Sequence, residues 1–185
     1  MTAAATPLTE RYGRVTALLD ASGTFFESAR QAFPDAAGEP LFPAARYVVQ
    51  RAEVAALPAA DPVRHWAVDP LRAAGQLHEV EGRHRLGDGL TLLPTPGHTP
   101  GHQSVLVAAA DGRGRDVVVT GDALVHAVQL ADPAIAYSRE RDPATARASR
   151  AELLARAAGR GALLATAHLT RAFVDPPEGG ARPVS

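Results

Sequence analysis

The sequence has 185 residues, with 19 Lys and Arg against 20 Asp and Glu, and its formal net charge is -1 at pH 7. This balance gives no reason to expect a nucleic-acid partner. The sequence contains no cysteine, so disulfides and a cysteine nucleophile are excluded and any metal must be held by His, Asp or Glu. No apolar run approaches the roughly 20 residues of a membrane span, and no signal-peptide pattern is present. We therefore expect one cytoplasmic domain without a membrane partner.

The N-terminal residues predict a helical segment, 1–34, that is distinct from the rest of the chain. Apolar residues recur there at the spacing of two short helices, from Leu8 to Leu19 and from Phe25 to Phe33. A Gly- and Pro-rich turn region follows. We expect the main domain to span residues 35–175 and the Gly- and Pro-rich tail, 176–185, to be disordered.

Short strands separated by Gly-rich turns dominate the main domain. Residues 51–74 are rich in Ala and Pro and predict short helices and loops. Apolar and β-branched runs predict strands at 46–50, 76–81, 83–86, 90–94, 103–109, 116–120 and 162–167. Strands with a single long helix before the last of them are typical of an α+β or α/β layered domain with a sheet core, and we expect the α+β class.

The long helix is predicted to begin at Asp142-Pro143, with Asp at the N-cap and Pro in the first turn. We expect it to run to about Arg156 and to stop at one of the glycines that follow. Its inward face would carry apolar residues and its outward face arginines, namely Leu153, Leu154 and Ala157 inward and Arg147, Arg150 and Arg156 outward.

The stretch Thr95-Pro-Gly-His-Thr-Pro-Gly-His-Gln-Ser104 lies between two predicted strands and carries the most information about function. Its two Pro-Gly pairs predict tight turns that can hold an imidazole rigidly. A ligand histidine needs a partner for its second ring nitrogen, and Thr95, Thr99 or Ser104 could supply one. The alternative is a loop with two surface histidines.

Two further predicted strands end on a residue that can bind a metal. Val117 to Thr120 leads through Gly121 into Asp122, and the strand at 162–167 ends at His168. Taken singly, a turn aspartate and a half-buried structural histidine explain these residues equally well. Because strand ends gather at one edge of a sheet, the two residues and the histidine loop together predict a site assembled at that edge.

These motifs, in this order, resemble the metallo-β-lactamase superfamily, with Thr-Gly-Asp-Ala around Asp122 and Ala-His-Leu around His168. The most similar branch contains N-acyl homoserine lactonases and methyl parathion hydrolase-like enzymes. The segment Pro-Leu-Phe-Pro-Ala-Ala-Arg-Tyr-Val-Val-Gln-Arg-Ala-Glu, which ends at Glu53, resembles that branch as well. The resemblance covers roughly residues 35–175 and implies a partial αββα sandwich, mainly its C-terminal half.

The resemblance also implies a role for each site residue. His98 matches a ligand of one metal ion, His168 a ligand of a second ion, and Asp122 the catalytic-site carboxylate that bridges both. His102 matches a histidine that stays uncoordinated and is hydrogen-bonded behind the site. The implied cofactor is zinc, as one or two ions, although other divalent metals suit the same ligands.

In complete members of the family, a metal-activated hydroxide attacks a lactone, an ester or a phosphotriester. A small molecule is therefore the implied substrate. The region after Asp122 faces the mouth of the site in the family, which makes His126 and Tyr137 candidates for substrate contact. The alternative for His126 is a structural role.

The chain departs from the family at its other metal ligands. No histidine precedes His65, so the family's His-x-His-x-Asp-His segment is missing. Each of two ions would then have two protein ligands, with Asp122 shared, whereas a catalytic zinc typically has three. Two hypotheses follow: a metal-dependent hydrolase with an incomplete site and doubtful activity, or a catalytically inactive truncated remnant or binding module of the same fold. A third is an unrelated α/β domain with coincidental histidines.

Loss of the family's first strands would also expose a sheet edge and one face of the core. Such surfaces favour pairing with another chain. We therefore expect a homo-oligomer or poor solubility.

Overall fold

The computed structural model describes residues 45–109 and 114–177. The predicted helical segment 1–34, the turn region that follows it, most of the turn predicted at 111–114 and most of the predicted tail lie outside these residues.

A two-stranded parallel sheet opens the described chain, with strand β1 at Tyr47–Gln50 and strand β2 at Leu77–Val80. The connection between them holds helix α1 at Arg51–Ala56, a π-helical turn at Arg64–Val68 and helix α2 at Asp69–Ala73. The predicted short helices and loops of this region are therefore confirmed.

Six strands form the main sheet, in an order that follows the sequence. The strands are β3 at His84–Gly87, β4 at Leu90–Pro94, β5 at Gln103–Val107, β6 at Val117–Val119, β7 at Leu163–Ala165 and β8 at Phe173–Val174. Neighbours are antiparallel except β6 and β7, which run parallel. The predicted strands are confirmed, and β8 is an addition that the sequence pattern did not reveal.

The parallel pair needs a long crossover, and helix α4 at Pro143–Gly159 supplies it. Asp142 caps this helix as predicted, because its carboxylate accepts hydrogen bonds from the backbone N–H groups of Ala144 at 3.1 Å and Thr145 at 3.0 Å. The helix ends about one turn later than predicted. The same crossover contains a short helix, α3, at Val128–Ala131.

Helix α4 covers one face of the main sheet, and the core lies between them. Strand alternation and the register that aligns Leu106 with Val118 and Val118 with Leu164 place these three side chains on that face. The residues of this core include Leu93, Leu106, Val118, Leu164, Leu153, Leu154 and Ala157, all buried. The predicted inward face of the helix is thereby confirmed for its apolar residues.

The prediction for Arg150 is wrong, because this residue points inward and its side chain is only 1% exposed. The guanidinium forms a buried ion pair with Glu140 and also donates to backbone carbonyls of the crossover. A buried arginine is tolerated only when its donors are paired in this way. The sequence pattern of one helix could not reveal a partner ten residues upstream.

The strand directions bring the ends of β4, β6 and β7 to one edge of the main sheet. Pro94 at the end of β4 is paired with Gln103 at the start of β5, and Val119 at the end of β6 is aligned with Val105 and Ala165. The loops that follow these three strands therefore meet at this edge.

The described residues form a mixed α/β fold with a sheet covered by helices. Among them, no helix is long and apolar enough to cross a membrane. The predicted domain boundaries and the predicted self-association stay predictions.

Leu154, at 1% exposure, anchors α4 on the sheet. We expect Leu154→Ala to lower the free energy of unfolding by about 2–5 kcal/mol, because it removes a buried side chain and leaves a cavity. The control Val128→Ala alters a side chain that is 40% exposed and should change it by less than about 0.5 kcal/mol. Urea denaturation measures both, and equal effects of the two substitutions would contradict this placement of the core.

Candidate metal centre

Asp122 lies between the imidazoles of His98 and His168 at this sheet edge. Its Oδ2 is 3.1 Å from Nε2 of His98, and its Oδ1 is 2.7 Å from Nε2 of His168. The side chains of His98, Asp122 and His168 are 18%, 27% and 39% exposed, so the group opens to solvent. The structure therefore brings together the three residues that the sequence predicted, with one carboxylate oxygen directed at each ring.

His98 is held in place by the N-terminal end of α4. The backbone N–H of Asp142 donates to the carbonyl of Gly97 at 2.9 Å, and that of Arg141 donates to the carbonyl of His98 at 3.2 Å. A Cβ on Gly97 would lie 2.2 Å from the backbone nitrogen of Ala146. The first Pro-Gly pair therefore serves a close approach between loop and helix, which only glycine permits.

The second Pro-Gly pair makes an equally close contact with α1. The N–H of Gly101 donates to the carboxylate of Glu53 at 2.8 Å, and a Cβ on Gly101 would lie 2.2 Å from the Glu53 backbone nitrogen. Sequence reasoning did not assign Glu53 a role. Its position at the end of the segment that resembles the lactonase branch was the available signal.

His102 supports the backbone of Asp122 from behind. The N–H of Asp122 donates to Nε2 of His102 at 3.0 Å, so this nitrogen is unprotonated and Nδ1 carries the ring proton. Nδ1 lies 2.8 Å from Oγ1 of Thr95 and 3.0 Å from the Thr95 carbonyl. The residue that the resemblance placed behind the site thus contacts Asp122 directly.

The hydroxyl groups of Thr95 and Ser104 form a hydrogen-bond chain behind His102, and the donor of each bond can be assigned. The hydroxyl of Ser104 donates to the carbonyl of Thr120 at 3.0 Å, so its oxygen accepts from the Thr95 hydroxyl, also at 3.0 Å. Oγ1 of Thr95 is then left to accept the Nδ1 proton of His102. Thr95 and Ser104, proposed from the sequence as partners of a ring, therefore orient His102 and not His98.

The pKa of His102 is lowered from its ordinary value, chiefly because burial disfavours the charged imidazolium. The contact with Thr95 and the Asp122 charge oppose this effect, and the nearby His98 adds to it. The neutral ring is the form that can accept the Asp122 N–H, so burial and this one hydrogen bond favour the same state.

The donor set fits zinc in chemical kind, since two imidazoles and a carboxylate are among its usual ligands. Nδ1 of His98 is buried and has no hydrogen-bond partner within the described part of the chain. Across residues 45–109 and 114–177, however, no three His, Asp or Glu side chains are arranged to hold a single ion. Asp122 presents a different oxygen to each histidine, which suits a bridging carboxylate with one imidazole on each side.

The two candidates for substrate contact differ in their surroundings. The ring of Tyr137 is stacked on His98, with the planes 14° apart and the centroids separated by 6.1 Å. His126 is exposed, and its Nδ1 accepts the N–H of Val128 at 3.1 Å at the start of α3. Tyr137 therefore lies beside the site, whereas the contact of His126 is structural.

Gly121 precedes Asp122 with φ at +54°, and a Cβ there would lie 2.8 Å from Nε2 of His102. We expect Gly121→Ala to lower the free energy of unfolding by about 1–3 kcal/mol, because left-handed backbone strain and overlap with the ring combine. Gly159→Ala is the control, since α4 ends at this residue and its Cβ would meet nothing within 4 Å. Thermal unfolding in which the two alanines behaved alike would contradict the contact.

The stability of the fold should depend on the charge of His102. Because its folded pKa is lowered, the unfolded chain binds a proton first as the pH falls below about 6.5, and stability declines until the pH passes the folded pKa. His102→Gln keeps a donor and an acceptor but does not titrate, so we expect a flatter dependence of unfolding free energy on pH. Urea denaturation between about pH 7.5 and pH 5 measures it. The exposed His78→Gln is the control, and equal slopes for both variants would refute the assignment.

No protein-family model matches the sequence, and no curated protein matches it. Solved structures, by contrast, do match this chain. The hydrolase AbOPH of the beta lactamase superfamily matches with a TM-score of 0.61 and 24% identity over 78% of this chain. An N-acyl homoserine lactone hydrolase with the product N-hexanoyl-L-homoserine bound at its catalytic metal centre matches with a TM-score of 0.55 and 25% identity over 65% of this chain. AidC, a dizinc quorum-quenching lactonase, matches with a TM-score of 0.57 and 16% identity over 81%.

The chain spans only about half of these structures, 55% of AbOPH, 46% of the lactone hydrolase and 60% of AidC. All three share the sheet-and-helix arrangement of the described residues, and the lactone hydrolase also shares a quarter of the aligned sequence. The resemblance inferred from the motifs is confirmed: the described residues share the fold of metallo-β-lactamase superfamily hydrolases, N-acyl homoserine lactonases among them.

Proposed function

We propose that the chain is the metal-binding part of a metal-dependent hydrolase that acts on a lactone, an ester or a phosphotriester. The observation that carries this proposal is the Asp122 carboxylate, whose two oxygens face the imidazoles of His98 and His168 at 3.1 Å and 2.7 Å. The lactone hydrolase with its product at a catalytic metal centre and the dizinc lactonase AidC support the same reaction class.

His98, Asp122 and His168 would hold the metal, with zinc as the proposed ion. Bound zinc would lower the pKa of a water molecule and polarise the carbonyl or phosphoryl group of the substrate. Nothing in the ligand types excludes manganese, iron or nickel, since imidazole and carboxylate ligands serve these ions too. The number of protein donors, two for each of two ions, favours weak binding.

The chain's own residues prepare the site in two ways. His102 accepts the Asp122 N–H and holds the backbone that carries the bridging carboxylate. Tyr137 stacks on His98 and is the proposed contact for the substrate. His126 is a weaker candidate for this contact, because its imidazole already accepts the N–H of Val128. The partly exposed His168 leaves the site accessible to a small molecule.

The second candidate function is an inactive remnant or a binding module of the same fold. It is favoured by the lack, among the described residues, of any three side chains arranged around a single ion. Under this hypothesis the site catalyses no reaction, and Asp122 serves only to hold the two imidazoles. Under either hypothesis we propose a cytoplasmic location and a homo-oligomer.

Zinc titration of the metal-free full chain, followed by calorimetry, tests the metal centre. We expect saturable binding that Asp122→Asn abolishes, because this change removes the charge that both histidines face. His78→Gln is the matched control, since this exposed histidine lies on β2 in the other sheet. Unsaturable binding, or equal binding by both variants, would rule out the proposed site.

Hydrolysis assays with the zinc-loaded chain then separate the two candidates. A short-chain N-acyl homoserine lactone, a p-nitrophenyl ester and a p-nitrophenyl phosphotriester represent the three substrate classes. Turnover that is lost in Asp122→Asn supports the hydrolase. Zinc binding without turnover of any of the three supports the binding module.

A further inference from the structure

Two consecutive residues of α4 contact the two halves of the site. The hydroxyl of Ser149 donates to the carbonyl of Pro96 at 2.7 Å, two residues before His98. Nε of Arg150 donates to the carbonyl of Ala123 at 2.8 Å, one residue after Asp122. One turn of a single helix is therefore bonded to the backbone on both sides of the contact between His98 and Asp122.

The contact through Ser149 adds to those at the start of the same helix. The carbonyls of Gly97 and His98 accept backbone N–H groups from Asp142 and Arg141. With the Ser149 bond, three consecutive carbonyls of the loop, from Pro96 to His98, are held by α4 or the residues just before it. A loop bound at three successive residues has little freedom to move its histidine.

The contact through Arg150 organises the crossover that begins at Asp122. Besides Ala123, its guanidinium donates to the carbonyls of Pro133 at 2.7 Å and Ile135 at 3.1 Å, and it pairs with Glu140. Both charged side chains are 1% exposed. The planar fork of arginine, with donors pointing in several fixed directions, suits this arrangement better than the single head group of lysine.

Stability alone is a poor reason to bury this ion pair. Replacing a buried ion pair by apolar side chains of similar volume is often neutral or stabilising, because desolvation offsets the attraction. Ser149 is likewise a polar residue directly beside a helix face that packs on the sheet. Ser149 donates to the Pro96 carbonyl and Arg150 to the Ala123 carbonyl, each within two residues of a site side chain, and these bonds fix the backbone there.

We propose that Ser149 and Arg150 are positioning residues that set the separation between the His98 imidazole and the Asp122 carboxylate, and with it the metal geometry. The role in metal geometry rests on the proposed function, whereas the positioning of the two side chains does not. Ser149 acts on the histidine side of the contact, and Arg150 acts on the carboxylate side. Since Asp122 also contacts His168, the two residues should affect the two histidines differently.

Side-chain ¹⁵N spectra of the metal-free full chain test the positioning directly. Ser149→Ala should shift the ring resonances of His98 and leave those of His168 in place. Arg150→Lys keeps the charge opposite Glu140 but loses the arginine fork, and it should shift the resonances of both histidines. Ser149→Thr retains the hydroxyl and should restore the His98 resonances.

Arg156→Lys is the matched control, since Arg156 lies on the exposed side of the same helix and pairs with Glu152 at 2.7 Å. Its histidine spectra should equal those of the unmodified chain. Unchanged His98 and His168 resonances in both Ser149→Ala and Arg150→Lys would overturn the proposal, even if thermal unfolding showed that the variants were less stable.

Zinc titration of the same variants tests the consequence for the metal. We expect the zinc Kd to rise about 10- to 100-fold in Ser149→Ala and Arg150→Lys, as is usual when the partners that orient metal ligands are altered, and to stay unchanged in Arg156→Lys. If the unmodified chain bound no zinc, the proposed function would fail, while the spectra would still decide the positioning. Shifted spectra with an unchanged zinc Kd would overturn the link between positioning and metal geometry.

Discussion

The Asp122 carboxylate lies between the imidazoles of His98 and His168, and that contact places the strictest demand on the structure around it. A carboxylate and two ring nitrogens keep such distances only if the backbone of each residue is held in place. His102 holds the backbone of Asp122, and His168 lies in the loop that follows strand β7. The polar contacts at this edge of the sheet support one small group of atoms, the Asp122 carboxylate and the two imidazoles.

Glycine provides much of that support by leaving space. Gly97 lets the histidine loop approach α4, and Gly101 lets it approach α1. Gly121 lets the backbone that leads into Asp122 pass close to the ring of His102. In each case a Cβ would overlap a backbone or ring atom at less than 3.0 Å. The repeated Pro-Gly pairs are thus a packing requirement, imposed by helix α4 at Gly97 and helix α1 at Gly101.

The likeness to metallo-β-lactamase superfamily hydrolases and the half-length coverage have to be considered together. The chain spans 46–60% of the three solved structures compared, and its sequence has no histidine before His65. The support around Asp122 comprises the hydrogen bond to His102, the close contacts at Gly97 and Gly101, and the bonds from Ser149 and Arg150. A site supported in this way is consistent with a hydrolase and with a binding module, and hydrolysis of substrate by the zinc-loaded chain distinguishes them.

The sequence by itself determined strands β1 to β7, the capped start of α4, the apolar face of that helix and the identity of the residues His98, Asp122 and His168 that meet at the site. These features depend on local pattern or on short motifs, which one chain displays directly. Only the tertiary structure decided that Arg150 is buried, that Thr95 and Ser104 serve His102, and that Glu53 binds the loop at Gly101. Each of these contacts joins residues that are far apart in sequence or on different elements, and hydrogen bonds of that kind depend on packing that no local periodicity encodes.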